Sequence, residues 1–411
     1  MRTILITLDS LNRHFLSRYG GPVDMTALDR LGDAGCTFNG HFTGSAPCIP
    51  ARRELLTGTL ELRHRGWGPL EPFDRTLPEM LSEKGVPSML ITDHYHYFEN
   101  GGENYHVDFT GYEFIRGHES DNWKTFPYDD GETLNPRTHT VPAHERNRQT
   151  FQRKEEYPCA RTFAAAEDWV RENVDTEEFF LYIDEFDPHE PFFVPQEYLD
   201  RVDNSGYEGP RLEWPKYGSW NGDDLELSHL RSRYTAKLLF LNDLLESFFS
   251  VLQEKGMYDD TTIICTTDHG HYLGEHGNIG KPGTDNWNTL FHIPMVCKPA
   301  AGLGAVGGRY TNALTTTADL YATVADLHQL DYDSSLYGRS FLPLLTGEVE
   351  QTREYVLYGY FGGQLSYCDG TYSFHKQPGT PNAPLQLYTT RLTTHPSKTP
   401  ALHELFRVSD E

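Results

Sequence analysis

Apolar runs rich in β-branched residues alternate along the chain with segments of helical periodicity. This alternation is typical of β-α-β crossover units and predicts a mostly parallel sheet covered by helices. The runs predicted as strands are residues 4–8, 87–92, 178–183, 262–266 and 292–297. The segments predicted as helices are residues 25–33, 76–84, 162–174, 225–252 and 317–328.

Two stretches lack this patterning. Residues 100–160 and 200–222 are rich in Gly, Pro, Asn and Tyr, which predicts long surface excursions. Their aromatic side chains either line a pocket for a sugar ring or pack locally, as aromatics on surface loops usually do. These aromatic residues are Trp123, Tyr128, Tyr207, Trp214 and Trp220.

The end of the chain differs again, because from residue 355 onward polar and apolar residues alternate as in antiparallel strands. We therefore predict an α/β fold with a large, mixed, mostly parallel sheet flanked by helices. It forms a catalytic domain over residues 1–350. A small antiparallel C-terminal subdomain, residues 351–411, is expected to pack on it.

Charge and cysteine content narrow the class of function. The 411 residues include 35 Lys+Arg and 60 Asp+Glu, for a formal net charge of −25, so nucleic acid and anionic membranes are not expected partners. No apolar run reaches the ~18 residues of a membrane span, and the N-terminus reads as a strand, so a cytoplasmic location is expected. The 6 scattered cysteines form no Cys-x-x-Cys pair, which argues against a disulfide scaffold or zinc ribbon.

Four aspartates fall at or just beyond the ends of predicted strands: Asp9, Asp93, Asp184 and Asp268. Ligands bind at the carboxyl edge of open parallel sheets, so this placement predicts a site. Any one of them alone reads equally well as a turn or capping residue. Asp268 and the adjacent His269 can converge on one divalent cation, with Asp9 as a third ligand.

A second stretch with possible chemistry is residues 45–58. Pro50 suits the first turn of a helix, which places Cys48 near its N-terminus. There the helix field and Arg52 are expected to lower the pKa of the thiol and to attract an anion. The competing interpretation of a lone cysteine is a buried structural thiol.

This stretch resembles the signature of the type I sulfatases, within the alkaline-phosphatase-like superfamily. In that family the cysteine is oxidised after translation to formylglycine. The signature reads Cys48-x-Pro50-x-Arg52-x-x-Leu55-x-Thr57-Gly58. Segments that resemble the family follow in its order: Asp9 after the first strand, Asp187-Pro188-His189-x-Pro191, Asp268-His269-Gly270, Lys281, and His292-x-Pro294.

The resemblance implies a metal site and a nucleophile. Asp9, Asp268, His269 and the residue derived from Cys48 would bind one divalent cation. Ca²⁺ is the usual cation of the family, and Mn²⁺ is the alternative because the ligand set mixes Asp and His. One hydroxyl of the hydrated formylglycine would attack sulfur, and deprotonation of the other would release sulfate and restore the aldehyde. Arg52 would hold this nucleophile.

The resemblance also implies how the substrate is handled. Lys281 would bind the sulfate oxygens and stabilise the transferring group. His189 would protonate the leaving oxygen, and His96 would act as the base in the release step. His94 occupies the position of a sulfate contact.

Three positions depart from the family pattern. Many sulfatases have a second Asp after the first, but here Ser10 follows Asp9. In this respect the chain resembles the choline sulfatase and phosphonate monoester hydrolase branch. The usual Lys-x-His is replaced by His94 and His96 with Tyr95 between them. Ala51 replaces the commoner Ser of the signature.

The expected function is hydrolysis of a sulfate ester of a small molecule or oligosaccharide, after activation by a formylglycine-generating maturation enzyme. The nearest alternative is a phosphonate monoester or phosphodiester hydrolase with the same nucleophile, because the single Asp9 fits that branch. A second alternative is a silent binding protein in which Cys48 stays unmodified.

Overall fold

A computed structural model describes residues 1–128, 131–202, 205–283, 285–377, 386–389 and 406–407. Its helices are α1 (Thr26–Asp33), α2 (Cys48–Thr57), α3 (Leu77–Glu83), α4 (Pro142–Arg148), α5 (Pro158–Glu172), α6 (Gln196–Val202), α7 (Asp224–Glu254), α8 (Asn288–Phe291), α9 (Ala318–Leu327) and α10 (Leu342–Thr346). Its strands are β1 (Arg2–Leu8), β2 (Cys36–Phe42), β3 (Ser45–Ala46), β4 (Ser88–Thr92), β5 (Gly111–Phe114), β6 (Phe179–Glu185), β7 (Gly218–Ser219), β8 (Thr261–Thr266), β9 (Tyr272–Leu273), β10 (Asn278–Gly280), β11 (Met295–Lys298), β12 (Arg309–Thr316), β13 (Val356–Tyr360), β14 (Leu365–Cys368), β15 (Tyr372–Lys376), β16 (Gln386–Thr389) and β17 (Phe406–Arg407).

The central sheet has the strand order β12-β2-β11-β8-β1-β6-β4-β5. Neighbouring strands run parallel except at β11, which is antiparallel to both β2 and β8. The predicted mixed, mostly parallel sheet is confirmed. Strands β1, β6 and β8 lie in the middle of the sheet and are covered on both faces, so almost every residue along them is buried.

Helices cover both faces of this sheet. Along β1, Ile4, Ile6 and Leu8 point into a core that includes side chains of α1, α5 and α7. Leu5 points to the opposite face, into a core shared with α2, α3 and α9. Burying each such side chain contributes about 1.5–3 kcal/mol. Within the described residues, no helix combines the length and apolar character needed to cross a membrane.

The sequence pattern predicts the start of β11 three residues too early. The run 292–297 was expected to be extended, but β11 begins at Met295 and His292 forms only an isolated bridge with Phe42. Pro294 has no backbone N–H and cannot donate to the ladder, so regular pairing starts after it.

The two predicted excursions are only partly surface loops. The first contains β5 and α4 and buries His144 and Asn147. Their aromatic residues pack locally: Tyr207 stacks on His229, and Trp214 is only 5% exposed. The local-packing interpretation of these aromatics therefore holds for both residues.

The C-terminal strands β13 to β17 pair antiparallel in chain order, as predicted. Their sheet does not stop there, because β13 also pairs parallel with β3, which ends two residues before Cys48. The C-terminal sheet is therefore built directly onto the segment that carries the candidate nucleophile. A domain boundary at residue 350 stays a prediction.

Candidate active site

Two adjacent central strands and one helix bring the predicted metal ligands together. Asp9 follows β1, Asp268 and His269 follow β8, and Cys48 is the first residue of α2. One ligand atom from each of these four buried residues lies within 4.8 Å of the others. A Cβ at Gly270 would lie 1.8 Å from a backbone oxygen of the α8 segment, so only glycine allows this turn.

The donors of this group suit a divalent cation. The buried Oδ2 atom of Asp9 accepts no hydrogen bond from the described residues, although Arg52 lies 3.0 Å away. Burial and then the neighbouring Asp268 raise the pKa of Asp9 well above its usual value, a cost that a bound cation would offset. His269 donates from Nδ1 to the Gly270 carbonyl at 2.8 Å, which leaves the Nε2 lone pair facing the site.

Arg52 links the carboxylates of the site. Its guanidinium is buried and pairs with Asp9 at 3.0 Å, Asp184 at 2.9 Å and Asp268 at 2.6 Å. Asp184 also accepts a hydrogen bond of 2.6 Å from Tyr97. Asp184 thus fixes Arg52 and lies outside the group of metal ligands.

Ser10 takes a different role from the second carboxylate of many sulfatases. Its hydroxyl donates to Asp9 at 2.8 Å, and its backbone N–H donates to Asp268 at 3.1 Å. Asp93 points elsewhere and accepts the backbone N–H of Phe186 at 2.7 Å. Only two of the four strand-end aspartates therefore belong to the metal group.

The expectation of an acidic thiol at Cys48 is wrong. Burial, and then the negative charge of Asp9, raise the pKa of Cys48 well above its usual value. Desolvation disfavours the thiolate more than the helix terminus and nearby cations favour it. An unmodified Cys48 would therefore be a protonated, weak nucleophile.

Lys281 and His189 meet beside Cys48. The Lys281 Nζ atom lies 3.5 Å from Cys48 Sγ and 2.5 Å from His189 Nε2. His189 donates from Nδ1 to the Glu190 carbonyl at 2.6 Å, so Nε2 accepts from Lys281. Burial and the positive charge of Lys281 lower the pKa of His189 well below its usual value, which keeps its ring neutral.

His94 and His96 lie on the neighbouring wall. The His94 ring is buried, its Nε2 atom is 3.7 Å from Asp9, and burial lowers its pKa well below the usual value. His96 lies 5.2 Å from His94 between ring centroids and bonds Glu99 through Nδ1. Among the described residues, no hydrogen bond joins His96 to Cys48, so its role as a base stays a prediction.

Comparison with known proteins identifies the family. Residues 2–330 match the family model described as Sulfatase. The chain belongs to the sulfatase family. The multifunctional alkaline phosphatase superfamily protein PehA of Trinickia caryophylli is 27% identical to it over 378 residues, covering 77% of this chain and 70% of that protein.

Solved structures agree on the sulfatase-family fold. The phosphonate monoester hydrolase of Agrobacterium radiobacter has a TM-score of 0.75 at 22% identity, covering 95% of this chain and 89% of that one. A protein solved in complex with its substrate D-glucosamine-2-N,6-O-disulfate has a TM-score of 0.71 at 15% identity. The match covers 94% of this chain and 90% of that one. The chain is thus a hydrolase of the sulfatase family, with neighbours from both branches considered above.

Sequence reasoning missed two residues of this sulfatase-family site. Glu190 accepts a hydrogen bond from Tyr217, and its Oε2 atom lies 3.2 Å from His271. The position of Glu190 next to His189 in the Pro-His segment was an available signal, since a charge beside a candidate site residue needs a partner. Nothing in the sequence indicated Tyr217, which comes from the excursion at 200–222.

Glu54, on the helix that starts at Cys48, makes stability depend on pH. It is buried, accepts hydrogen bonds from Thr317 Oγ1 at 2.5 Å and from the backbone N–H of Glu61 at 3.1 Å, and burial raises its pKa to about 7. The folded state therefore holds this proton more tightly than the unfolded state. The contribution of Glu54 to the free energy of unfolding is full below about pH 4.5 and is lost as pH rises through 7.

We expect Glu54→Gln to remove this dependence. Relative to the wild type, the variant should gain stability progressively between pH 5 and 8, by up to about 3 kcal/mol. Thermal unfolding of both proteins across that range measures the difference. Parallel Tm curves for the two proteins would show that Glu54 titrates normally.

Proposed function

We propose that this chain hydrolyses sulfate monoesters, with a formylglycine made from Cys48 as nucleophile and one divalent cation, Ca²⁺, as cofactor. The observation that carries the proposal is the convergence on Cys48 of two kinds of group. Asp9, Asp268 and His269 supply metal donors within 4.8 Å, and Lys281 lies 3.5 Å away with a positive charge.

Each residue of the site has a part in this reaction. Held by Asp9, Asp268 and His269, a divalent cation would supply the Lewis acidity that makes a hydroxyl of residue 48 nucleophilic. Arg52 fixes Asp9 and Asp268 through its ion pairs with them. The buried guanidinium also offsets the repulsion between these carboxylates.

Lys281 and His189 would act on the transferring group and on the leaving oxygen. The Lys281 ammonium would stabilise charge on the oxygens of the transferring group, as a point charge suited to a tetrahedral anion. Its hydrogen bond to His189 Nε2 orients the ring nitrogen that would carry the proton given to the leaving oxygen. The hydrogen bond between Glu99 and His96 Nδ1 would orient the His96 ring for proton removal in the release step.

A phosphonate monoester or phosphodiester hydrolase is the second candidate. It is favoured by the Asp9-Ser10 sequence, which leaves one carboxylate fewer at the metal, and by the likeness to the Agrobacterium radiobacter phosphonate monoester hydrolase. Sulfate and phosphonate esters share a tetrahedral anionic centre, so the same groups can serve both. The substrate alcohol that we propose is a carbohydrate, as in the neighbour solved with a glucosamine disulfate.

Matched kinetics separate the two candidates. We expect kcat/KM for an aryl sulfate to exceed that for an aryl phosphonate monoester by tenfold or more, about 1.4 kcal/mol of transition-state discrimination. The protein would be co-expressed with a formylglycine-generating enzyme and supplied with Ca²⁺. The opposite preference would place the chain in the phosphonate branch, and loss of either activity on chelation is the control for metal-dependent turnover.

A further inference from the structure

The excursion at residues 205–222 is hydrogen-bonded to the segment that carries Lys281. Its strand β7 pairs antiparallel with β10, which ends at Gly280. The backbone N–H of Trp220 donates to the Gly277 carbonyl at 2.7 Å, which extends this contact. The backbone on the N-terminal side of Lys281 is thus set by the excursion.

Tyr217, the residue before β7, contacts this segment through its ring. A Cβ at Gly280 would lie 2.1 Å from a ring carbon of Tyr217, and Gly280 has a φ of +79°, so glycine is required for both reasons. The Nζ atom of Lys281 lies 5.8 Å from the centroid of the same ring. The aromatic ring therefore lies against the Lys281 segment and beside the ammonium group.

The hydroxyl of Tyr217 reaches Glu190. It donates to Glu190 Oε1, while Glu190 Oε2 lies 3.2 Å from His271 Nδ1 and 3.5 Å from His189 Nδ1. Only 1% of the Glu190 surface is exposed, and both carboxylate oxygens face protein side chains. A buried carboxylate needs compensating groups nearby. Two of the groups around Glu190, Tyr217 and His189, also adjoin Lys281.

We propose that Tyr217 and Glu190 act as a coupled pair of positioning residues that hold Lys281 and His189 in their working geometry. A lysine side chain loses rotamer entropy when it is fixed, so its placement needs support from neighbouring groups. The excursion then supports the groups that act on the substrate. This inference rests on the proposed function, in which Lys281 and His189 act on the transferring group.

A double-mutant cycle with Tyr217→Phe and Glu190→Gln tests the pair. The first change removes the hydroxyl but keeps the ring on Gly280. We expect each single variant to lower kcat for the better aryl ester about tenfold with KM within twofold, and the double variant to be no more than about twofold worse than either. Single variants within twofold of the wild type, losses carried by KM, or losses that multiply would overturn the proposal.

Tyr207→Phe is the matched control, because Tyr207 lies in the same excursion and donates its hydroxyl to the Pro210 carbonyl at 2.6 Å, away from Lys281. Its kcat should equal that of the wild type. Crystal structures of the wild type and of Tyr217→Phe give a readout that needs no turnover. We expect the Lys281–His189 hydrogen bond in the first and its loss in the second. An unmoved Lys281 would sink this inference, whereas an inactive wild type would sink the proposed function.

Discussion

Replacing Cys48 by alanine is expected to lower kcat/KM for an aryl sulfate by about 10⁴-fold or more, because losing the nucleophile of a covalent mechanism leaves only binding and electrostatic stabilisation. The fold should survive, since Cys48 begins a helix whose last residues are anchored in the core. Kinetics on protein co-expressed with a formylglycine-generating enzyme measure the loss. Mass spectrometry of the wild type should show the CH2–SH group of residue 48 converted to an aldehyde, with sulfur replaced by oxygen and two hydrogens lost.

Two further variants make this result specific. Cys48→Ser keeps a hydroxyl that a cysteine-oxidising maturation enzyme would leave unconverted, so it should show at most a single turnover. Cys36→Ala removes another buried thiol, one whose pKa is raised to about 11 by burial, and should keep full activity. Turnover by a wild type whose residue 48 is still cysteine would rule out formylglycine. An unmodified and inactive wild type from its natural host would support a binding protein.

The parts of this architecture encoded by local pattern could be read from the sequence. The apolar run of β1 and the helical pattern of α7 reflect burial on both faces of a sheet and along one long helix. The convergence of Asp9 and Asp268 followed from their places at the ends of strands, since β1 and β8 are neighbours. The spacing of the signature placed Cys48 and Arg52 one helical turn apart.

Features that depend on tertiary contacts could not be read in this way. The thiol of Cys48 was expected to be acidic from its place on the helix, but its pKa is decided by burial and by Asp9, which is 39 positions away in the sequence. The role of Asp184 could not be read from the sequence either, because its place at a strand end is compatible with metal binding or with an ion pair to Arg52. Tyr217 reaches Glu190 only because β7 pairs with β10, and short strands in an excursion leave little pattern.

Asp268→Asn is expected to remove the bound cation and lower kcat/KM by about 10³-fold, equivalent to about 4 kcal/mol of transition-state stabilisation. Asp268 accepts hydrogen bonds from the backbone N–H groups of Ser10 and His269 at 3.1 and 2.8 Å, and an amide oxygen can accept both. The substitution therefore removes mainly the negative charge that attracts the cation and pairs with Arg52. Elemental analysis of the purified variant and wild type measures bound Ca²⁺ and Mn²⁺.

Asp93→Asn is the matched control for Asp268→Asn, because Asp93 lies at the same edge of the sheet but outside the metal group. Burial and then Asp187 raise the pKa of Asp93 to about 8, so its carboxyl is already largely neutral at pH 7 and an amide resembles it. This variant should keep its metal and its activity. Bound Mn²⁺ without Ca²⁺ in the wild type would overturn the proposed cation. Metal loss in both variants would mean that metal binding does not depend specifically on Asp268, whereas loss only in Asp268→Asn would tie the cation to the Asp268 carboxylate.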